Sequence, residues 1–216
     1  MREKNPFFSI IIPCYNSASY IQECLDSLTK QSFTDWEAIV VNDASSDEAS
    51  EIIEQYTSRD QRIHLLDKQI NEGLHLARRS GVSISSGKYV LFLDSDDALA
   101  EETLSKVRFA INQNNPDIFR FGLTCVEQNG MNSHSAREFE AWANSPSSVS
   151  GGNQLLEDTF ISPSEYGRDW HVTHKAFRGD ICRRAFSVMS DTRLERAEDS
   201  YEFRSEERRV GKECRL

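Results

Sequence analysis

The 216-residue chain lacks several features that would assign it quickly. It has no stretch approaching the ~20 apolar residues needed to cross a bilayer. The first apolar run, Phe7–Ile12, is cut short by Pro13. It has neither the length nor the small-residue cleavage site of a signal peptide, so it reads as a strand. Cysteine is sparse and unpaired in pattern. Cys14, Cys24, Cys125, Cys182 and Cys214 are scattered, odd in number and form no C-x-x-C. That spacing excludes a disulfide framework or a zinc ribbon and suits reduced thiols. Basic residues are outnumbered, 25 against 35 acidic, for a net charge of −10. A nonspecific nucleic-acid module needs clustered Lys and Arg, so that class is excluded. With only ten glycines a collagen-like chain is excluded as well. What remains is a soluble, cytoplasmic protein with room for peripheral membrane contact. Its 38% apolar content is enough for one sizeable domain.

The end of the chain stands apart. Arg204–Leu216 (RSEERRVGKECRL) is dense in charge and has no apolar period. The run RSEERRVGKEC resembles the conceptual translation of a sequencing adapter. It is therefore set aside as a non-native tail, and the natural chain is expected to continue past Phe203.

Residues 7–123 alternate short apolar runs with amphipathic segments, which predicts βα units around a mostly parallel sheet. The predicted strands are Phe7–Ile12, Trp36–Asn42, Ile63–Leu66, Lys88–Leu93 and Asp117–Leu123. Ile21, Leu25 and Leu28, at i, i+4 and i+7, predict a helix capped near Asn16 or Ser17. Ile52, Ile53 and Tyr56 mark a second, Leu74, Ala77 and Val82 a third, and Glu101 to about Asn112 a fourth. From Cys125 to Gly152 the period is lost, and ANSPSSVSGG (Ala143–Gly152) is linker-like. Helical signals resume at Asn153–Phe160 and Ile181–Met189. The expected fold class is α/β, a Rossmann-like sheet flanked by helices with a less regular C-terminal region.

In open α/β sheets ligands bind beyond the carboxyl ends of the strands. Those ends carry Pro13-Cys14-Tyr15-Asn16, Asn42-Asp43 and Asp94-Ser95-Asp96-Asp97. Asn16, Ser17 and Ser46 read as turn formers and caps. For Asp43 a turn role and a binding role are equally open. Three Asp in four residues after a buried strand exceed what a helix cap requires. A period of two puts Asp94 and Asp96 on one side of an extended chain, where they repel unless a cation or a proton relieves them. Oxygen-only donors suit Mg²⁺ or Mn²⁺.

Four blocks now carry a resemblance: SIIIPCYNSASYIQECLDSLTKQSF (Ser9–Phe33), WEAIVVNDASSD (Trp36–Asp47), NEGLHLARRSG (Asn71–Gly81) and SGKYVLFLDSDD (Ser86–Asp97). In order and spacing they resemble the family 2 glycosyltransferases of the GT-A fold. KAFRGDICRRAF (Lys175–Phe186) is similar to the segment before that family's catalytic loop, and RAEDSYEF (Arg196–Phe203) to its Glu-Asp motif. The resemblance implies a nucleotide-sugar donor, UDP-linked for preference over GDP or dTDP, and a saccharide or lipid-linked acceptor. Residues 1–115 would form the donor half and 116–203 an incomplete acceptor half.

The resemblance also implies roles. Tyr15 would stack on the base beside Pro13 and Asn16. Asp43 would accept a base N–H. Asp94 and Ser95 would line the ribose or sugar, and Asp96 would bind Mn²⁺ or Mg²⁺. Asp199 would be the general base on the acceptor hydroxyl, with inversion in one displacement, and Glu198 would orient the loop. Arg78 either approaches the donor or is a solvated helix residue beside Arg79. Asn42 departs from the Asp common at that position in the family.

Other residues read more plainly. His171 and His174 suit a polar loop or the acceptor site, His64 a solvent-facing strand position, and Trp36 packing. Two other functions fit parts of the sequence. A haloacid dehalogenase-type phosphatase also places D-x-D after an apolar strand, with Asp94 as nucleophile. However, Asp97-Ala98 follow where that motif has Thr or Val, and the motif sits after several βα units. The second is a noncatalytic nucleotide-sugar binding protein.

Overall fold

The computed structural model describes residues 5–127, 134–144, 172–189 and 212–215. Seven of its strands are β1 (Phe8–Cys14), β2 (Trp36–Asn42), β3 (Ile63–Asp67), β4 (Tyr89–Phe92), β5 (Ile118–Arg120), β6 (Thr124–Glu127) and β7 (Lys175–Arg178). The helices are α1 (Ile21–Thr29), α2 (Ala49–Thr57), α3 (Leu74–Ile84), α4 (Thr103–Asn114), α5 (His134–Ala143) and α6 (Gly179–Ser187). The main sheet has the order β3-β2-β1-β4-β7-β5. β1 to β4 run parallel, while β7 is inserted antiparallel to both β4 and β5.

A parallel sheet covered on both faces requires near-continuous apolar strands. β1 meets this with every residue buried, and its alternation sorts the core into two layers. Phe8, Ile10 and Ile12 pack with Leu25 and Leu28 of α1, Ile53 of α2 and Leu104, Val107 and Ile111 of α4. Ile11 points the other way and joins Ile39, Val41, Val90 and Phe92 with Ala77 and Val82 of α3 and Cys182 of α6. Trp36 is 2% exposed with the Arg62 guanidinium 3.9 Å from its ring centroid, so its expected packing role holds. His64 is exposed, as expected.

The structure differs from expectation in five places. The strand expected at Asp117–Leu123 is only Ile118–Arg120, and β6 follows it as a separate, unexpected strand. Neither Asn16 nor Ser17 caps α1: Tyr20 holds the cap position without a side-chain bond. Instead the Ser17 carbonyl accepts the Tyr20 and Ile21 N–H groups in a preceding turn. β1 runs two residues past Ile12 through Pro13, for a reason given below. β7 and α5 emerge where no regular element was expected. β7 has only four residues, with Lys and Arg at its ends and Ala176 alone fully buried, so its apolar signal is weak and backbone pairing holds it. Finally Lys212–Arg215, set aside as tail, forms β8, antiparallel to β6. The expected helix at 153–160 lies outside the described residues.

The amino ends of the strands are held by a buried polar chain. Gly87 N–H donates to Ser9 Oγ (2.7 Å), and Ser9 Oγ donates to Glu37 Oε1 (2.5 Å). Ser86 donates to the same carboxylate oxygen through N–H (2.8 Å) and Oγ (3.0 Å). Gly87 has to be glycine for close approach, since a Cβ there would lie 2.5 Å from the Ser9 nitrogen, which is backbone and cannot move aside. Gly87→Ala is therefore expected to cost about 1–3 kcal/mol, as overpacking does. A urea denaturation midpoint equal to wild type would contradict this contact.

Candidate functional site

The strand order reverses between β1 and β4, because β1 leads outward to β2 and β3 and the chain then returns to the opposite side. This is a topological switch point, where the loops after neighbouring strands splay apart and leave a crevice. Pro13 lies on it. Leu93 N–H donates to Ile11 O, so Ile11 turns its backbone polar groups to β4, and Pro13, two residues on, turns to the same side. The β1–β4 ladder ends at Ile11↔Phe92, and the missing N–H of Pro13 therefore costs no hydrogen bond.

Three loops meet at this edge and are tied together by side chains. Asn16, at φ 50° in the left-handed region, donates its N–H to Ser45 Oγ (3.0 Å) and accepts Ser46 N–H at Oδ1 (2.8 Å). Asp47 Oδ2 accepts Ala18 N–H (2.8 Å). Ser17 Oγ lies 2.8 Å from Ser95 Oγ, both buried, which joins the first loop to the loop after β4. Tyr15 is left 51% exposed on this framework, an aromatic face open to a ligand.

Asp43 is 2% exposed and is held from several directions. Glu72 N–H reaches both its oxygens at 3.1 Å, and Gly73 N–H reaches Oδ2 at 2.7 Å. Lys68 Nζ lies 3.2 Å from Oδ1 and also pairs with Glu72. Gly73 sits at φ 91°, a conformation that suits glycine, and starts α3 directly beyond. Next to Asp43, Asn42 donates to Asp67 Oδ1 (2.6 Å) and accepts Ser45 N–H at Oδ1. An Asp at this position would have set two carboxylates against each other.

Arg78 is not a solvated helix residue. It is 16% exposed and donates to Asp94 Oδ1 at 2.7 Å. The extended geometry expected for Asp94 and Asp96 is not found. β4 ends at Phe92, and Asp97 N–H donates to Asp94 O (3.0 Å), which closes a turn. Within the turn the two carboxylates differ in setting: Asp94 is half-buried on Arg78, while Asp96 is exposed. Among the described residues no three His, Cys, Asp or Glu side chains converge on a metal-sized point. An exposed carboxylate on a turn nevertheless fits Mg²⁺ or Mn²⁺, which take one or two carboxylates and complete their shell with water and substrate phosphate.

Asp199, Glu198 and His171 lie outside the described residues. His174 is fully buried and its carbonyl accepts Phe121 N–H, so it belongs to the packing at the entry to β7 rather than to a polar loop. Lys68, Glu72 and the Ser17–Ser95 link were not expected. They depend on strand register and loop contact, which single-sequence periodicity does not encode.

Cys14, Cys24 and Cys182 are buried free thiols. Burial pushes Cys14 up to about 11 and Cys182 up to about 12. Cys24 is raised well above its ordinary value by burial, then by the charges of Asp97 and Asp96. These thiols stay protonated at neutral pH and offer no nucleophile.

A family model described as glycosyl transferase family 2 matches residues 9–172. The chain belongs to that family. The uncharacterized glycosyltransferase EpsJ of Bacillus subtilis (strain 168) is 32% identical over 197 residues, covering 90% of this chain and 54% of its own. The poly(ribitol-phosphate) beta-N-acetylglucosaminyltransferase TarS of Staphylococcus aureus (strain Mu50 / ATCC 700699) is 35% identical over 129 residues, or 57% of this chain and 22% of TarS. The crystal structure of S. aureus TarS 1-349 in complex with UDP-GlcNAc superposes with a TM-score of 0.60 at 27% identity, covering 82% of this chain and 47% of that one. The chain thus spans about half the length of EpsJ and less of TarS. The fold is the GT-A type the sequence led us to expect, and the phosphatase alternative falls.

The thiols make stability depend on alkaline pH. Their folded values lie above the unfolded one near 9, so the unfolded chain ionises first as pH rises. Stability is full below pH 9 and is expected to fall between pH 9 and 12, by about 2 kcal/mol or more for each such thiol. Urea midpoints taken across that range check the slope. Cys182→Ser should shallow it, and an unchanged slope would contradict the burial of this thiol.

Proposed function

We propose that this chain binds a nucleoside diphosphate sugar, UDP-linked for preference, across the carboxyl ends of β1, β2 and β4. It passes the sugar to a hydroxyl of a saccharide or lipid-linked acceptor in one inverting displacement. One observation carries this reading. An exposed aromatic, an anchored buried carboxylate and an arginine-bound carboxylate beside an exposed one meet at a single switch point. TarS, by its name an N-acetylglucosaminyltransferase and crystallised with UDP-GlcNAc, supports the choice of nucleotide and a role in polysaccharide or glycolipid assembly.

Under this reading Tyr15 stacks on the base, with Pro13 and Asn16 shaping the same loop. Asp43 accepts the uracil N3–H. Asp94, oriented by Arg78, and the neighbouring Ser95 address the ribose or the sugar. Asp96 holds Mn²⁺ or Mg²⁺, and the ion supplies Lewis-acid neutralisation of the departing diphosphate. Asp199 takes the proton from the acceptor hydroxyl. Residues 1–115 form the donor half and 116–203 the acceptor half, with residues beyond Phe203 outside both. Among the described residues no helix is long and apolar enough to cross a membrane.

Calorimetric titration of UDP with and without Mn²⁺, on wild type and Asp96→Asn, tests the site. Wild type should bind more tightly with the ion. The variant should lose at least about tenfold of the Mn²⁺-supported affinity, the scale of one lost charged contact, and keep its metal-free binding. A folded wild-type sample, checked by thermal melt, that binds no UDP would overturn the reading. UDP binding without sugar transfer would point to the noncatalytic alternative.

A further inference from the structure

Lys68 has no role in the chemistry above, yet it is the cation nearest the carboxylate on which base recognition depends. Its ammonium is 11% exposed, lies 3.2 Å from Asp43 Oδ1 and also pairs with Glu72. We infer that Lys68 is a positioning residue for nucleotide-base selection: its ammonium pairs with the Asp43 carboxylate and holds it in place, so that the site takes a pyrimidine presenting a ring N–H and rejects one presenting a ring lone pair. This role rests on the proposed nucleotide site.

Three physical facts support it. A carboxylate as buried as Asp43 is stable as an anion only when paired and hydrogen-bonded. The Glu72 and Gly73 N–H groups supply the hydrogen bonds and Lys68 supplies the charge. An ionised carboxylate can only accept. Uracil offers it the N3–H, whereas cytosine offers the N3 lone pair, which it repels. Without Lys68 the carboxylate loses the partner that holds it in position, and the discrimination goes. Glu72 also pairs with the ammonium, but its carboxylate is 37% exposed and screened by solvent, whereas Asp43 is 2% exposed.

Titration of UDP and CDP, both in Mn²⁺, separates this role from a structural one, because the shared diphosphate cancels in the ratio. Wild type should favour UDP by about tenfold or more, the value of one charge-assisted hydrogen bond. Lys68→Met should bring the two within about threefold, chiefly by weakening UDP, and Lys68→Arg should restore the preference. Glu72→Gln should keep it. If Lys68→Met weakens both nucleotides equally, or leaves the ratio unchanged, the inference is overturned while the nucleotide site stands. If folded wild type binds neither nucleotide, the site and the inference fall together.

Discussion

A strand with neighbours on both edges and helices on both faces cannot carry polar side chains along its length unless each is satisfied. β1 is that strand, and most of the molecule follows from it. Its one polar side chain, Ser9, is fully buried and is answered by Gly87 and Glu37. Every other residue from Phe8 to Cys14 is apolar. Chemistry is thereby displaced to the carboxyl end of the strand, where the β4 ladder stops one turn of pleat early and the backbone opens at Pro13. The same constraint sets the helices. Gly81 of α3 lies so close to the sheet that a Cβ there would sit 2.5 Å from an Ile11 methyl. That close packing brings the first turns of α3 over the crevice, and with them Arg78.

The loops that cross this edge are ordered by one another. Asn16 holds Ser45 and Ser46, Asp47 holds Ala18, and Ser17 holds Ser95, so Tyr15 stands on a frame pinned from both neighbouring strands. A side chain meant to stack on a ligand gains from such a frame, since little ordering is left to be done on binding. Asp43 and Asp94 are each matched with a cation of their own, and both cations come from the segment that follows β3.

β1 to β4 and α1 to α4 were legible because their signals are local: a continuous apolar run, or apolar residues at helical spacing. Their bounds moved by a few residues at most. β7 was not legible, since four residues with charged ends carry no period, and its place between β4 and β5 is decided by pairing across the fold. In the candidate site, Tyr15, Asp43, Asp94 and Asp96 were visible as strand-end residues, and their assigned roles came from family resemblance. The geometry of the last two was misread. Alternation was carried beyond the end of a strand into what is a turn. Lys68 was hidden for another reason. It reaches Asp43 because β2 and β3 pair in the register Asn42↔Asp67, which sets the next residues of both strands side by side. Shifting that register by one residue would remove the pair while leaving every local signal intact.

Charge balance at this edge bears on the proposed chemistry. A diphosphate is an anion, and the loop after β4 presents Asp94, Asp96 and Asp97 in four residues of a chain already at −10. The nearby cations Lys68 and Arg78 are engaged with Asp43 and Asp94, so neither is a ready counter-charge for phosphate. An anionic ligand meeting an acidic turn is repelled unless a multivalent cation is shared between them. Asp96, the exposed carboxylate of this loop, is the one proposed to share it. A divalent ion, as proposed above, would reconcile the acidity of the loop with the anionic character of the proposed donor. Removing that ion should affect the diphosphate far more than the base, because the proposed base contacts, Tyr15 and Asp43, follow β1 and β2 rather than lying on the loop after β4.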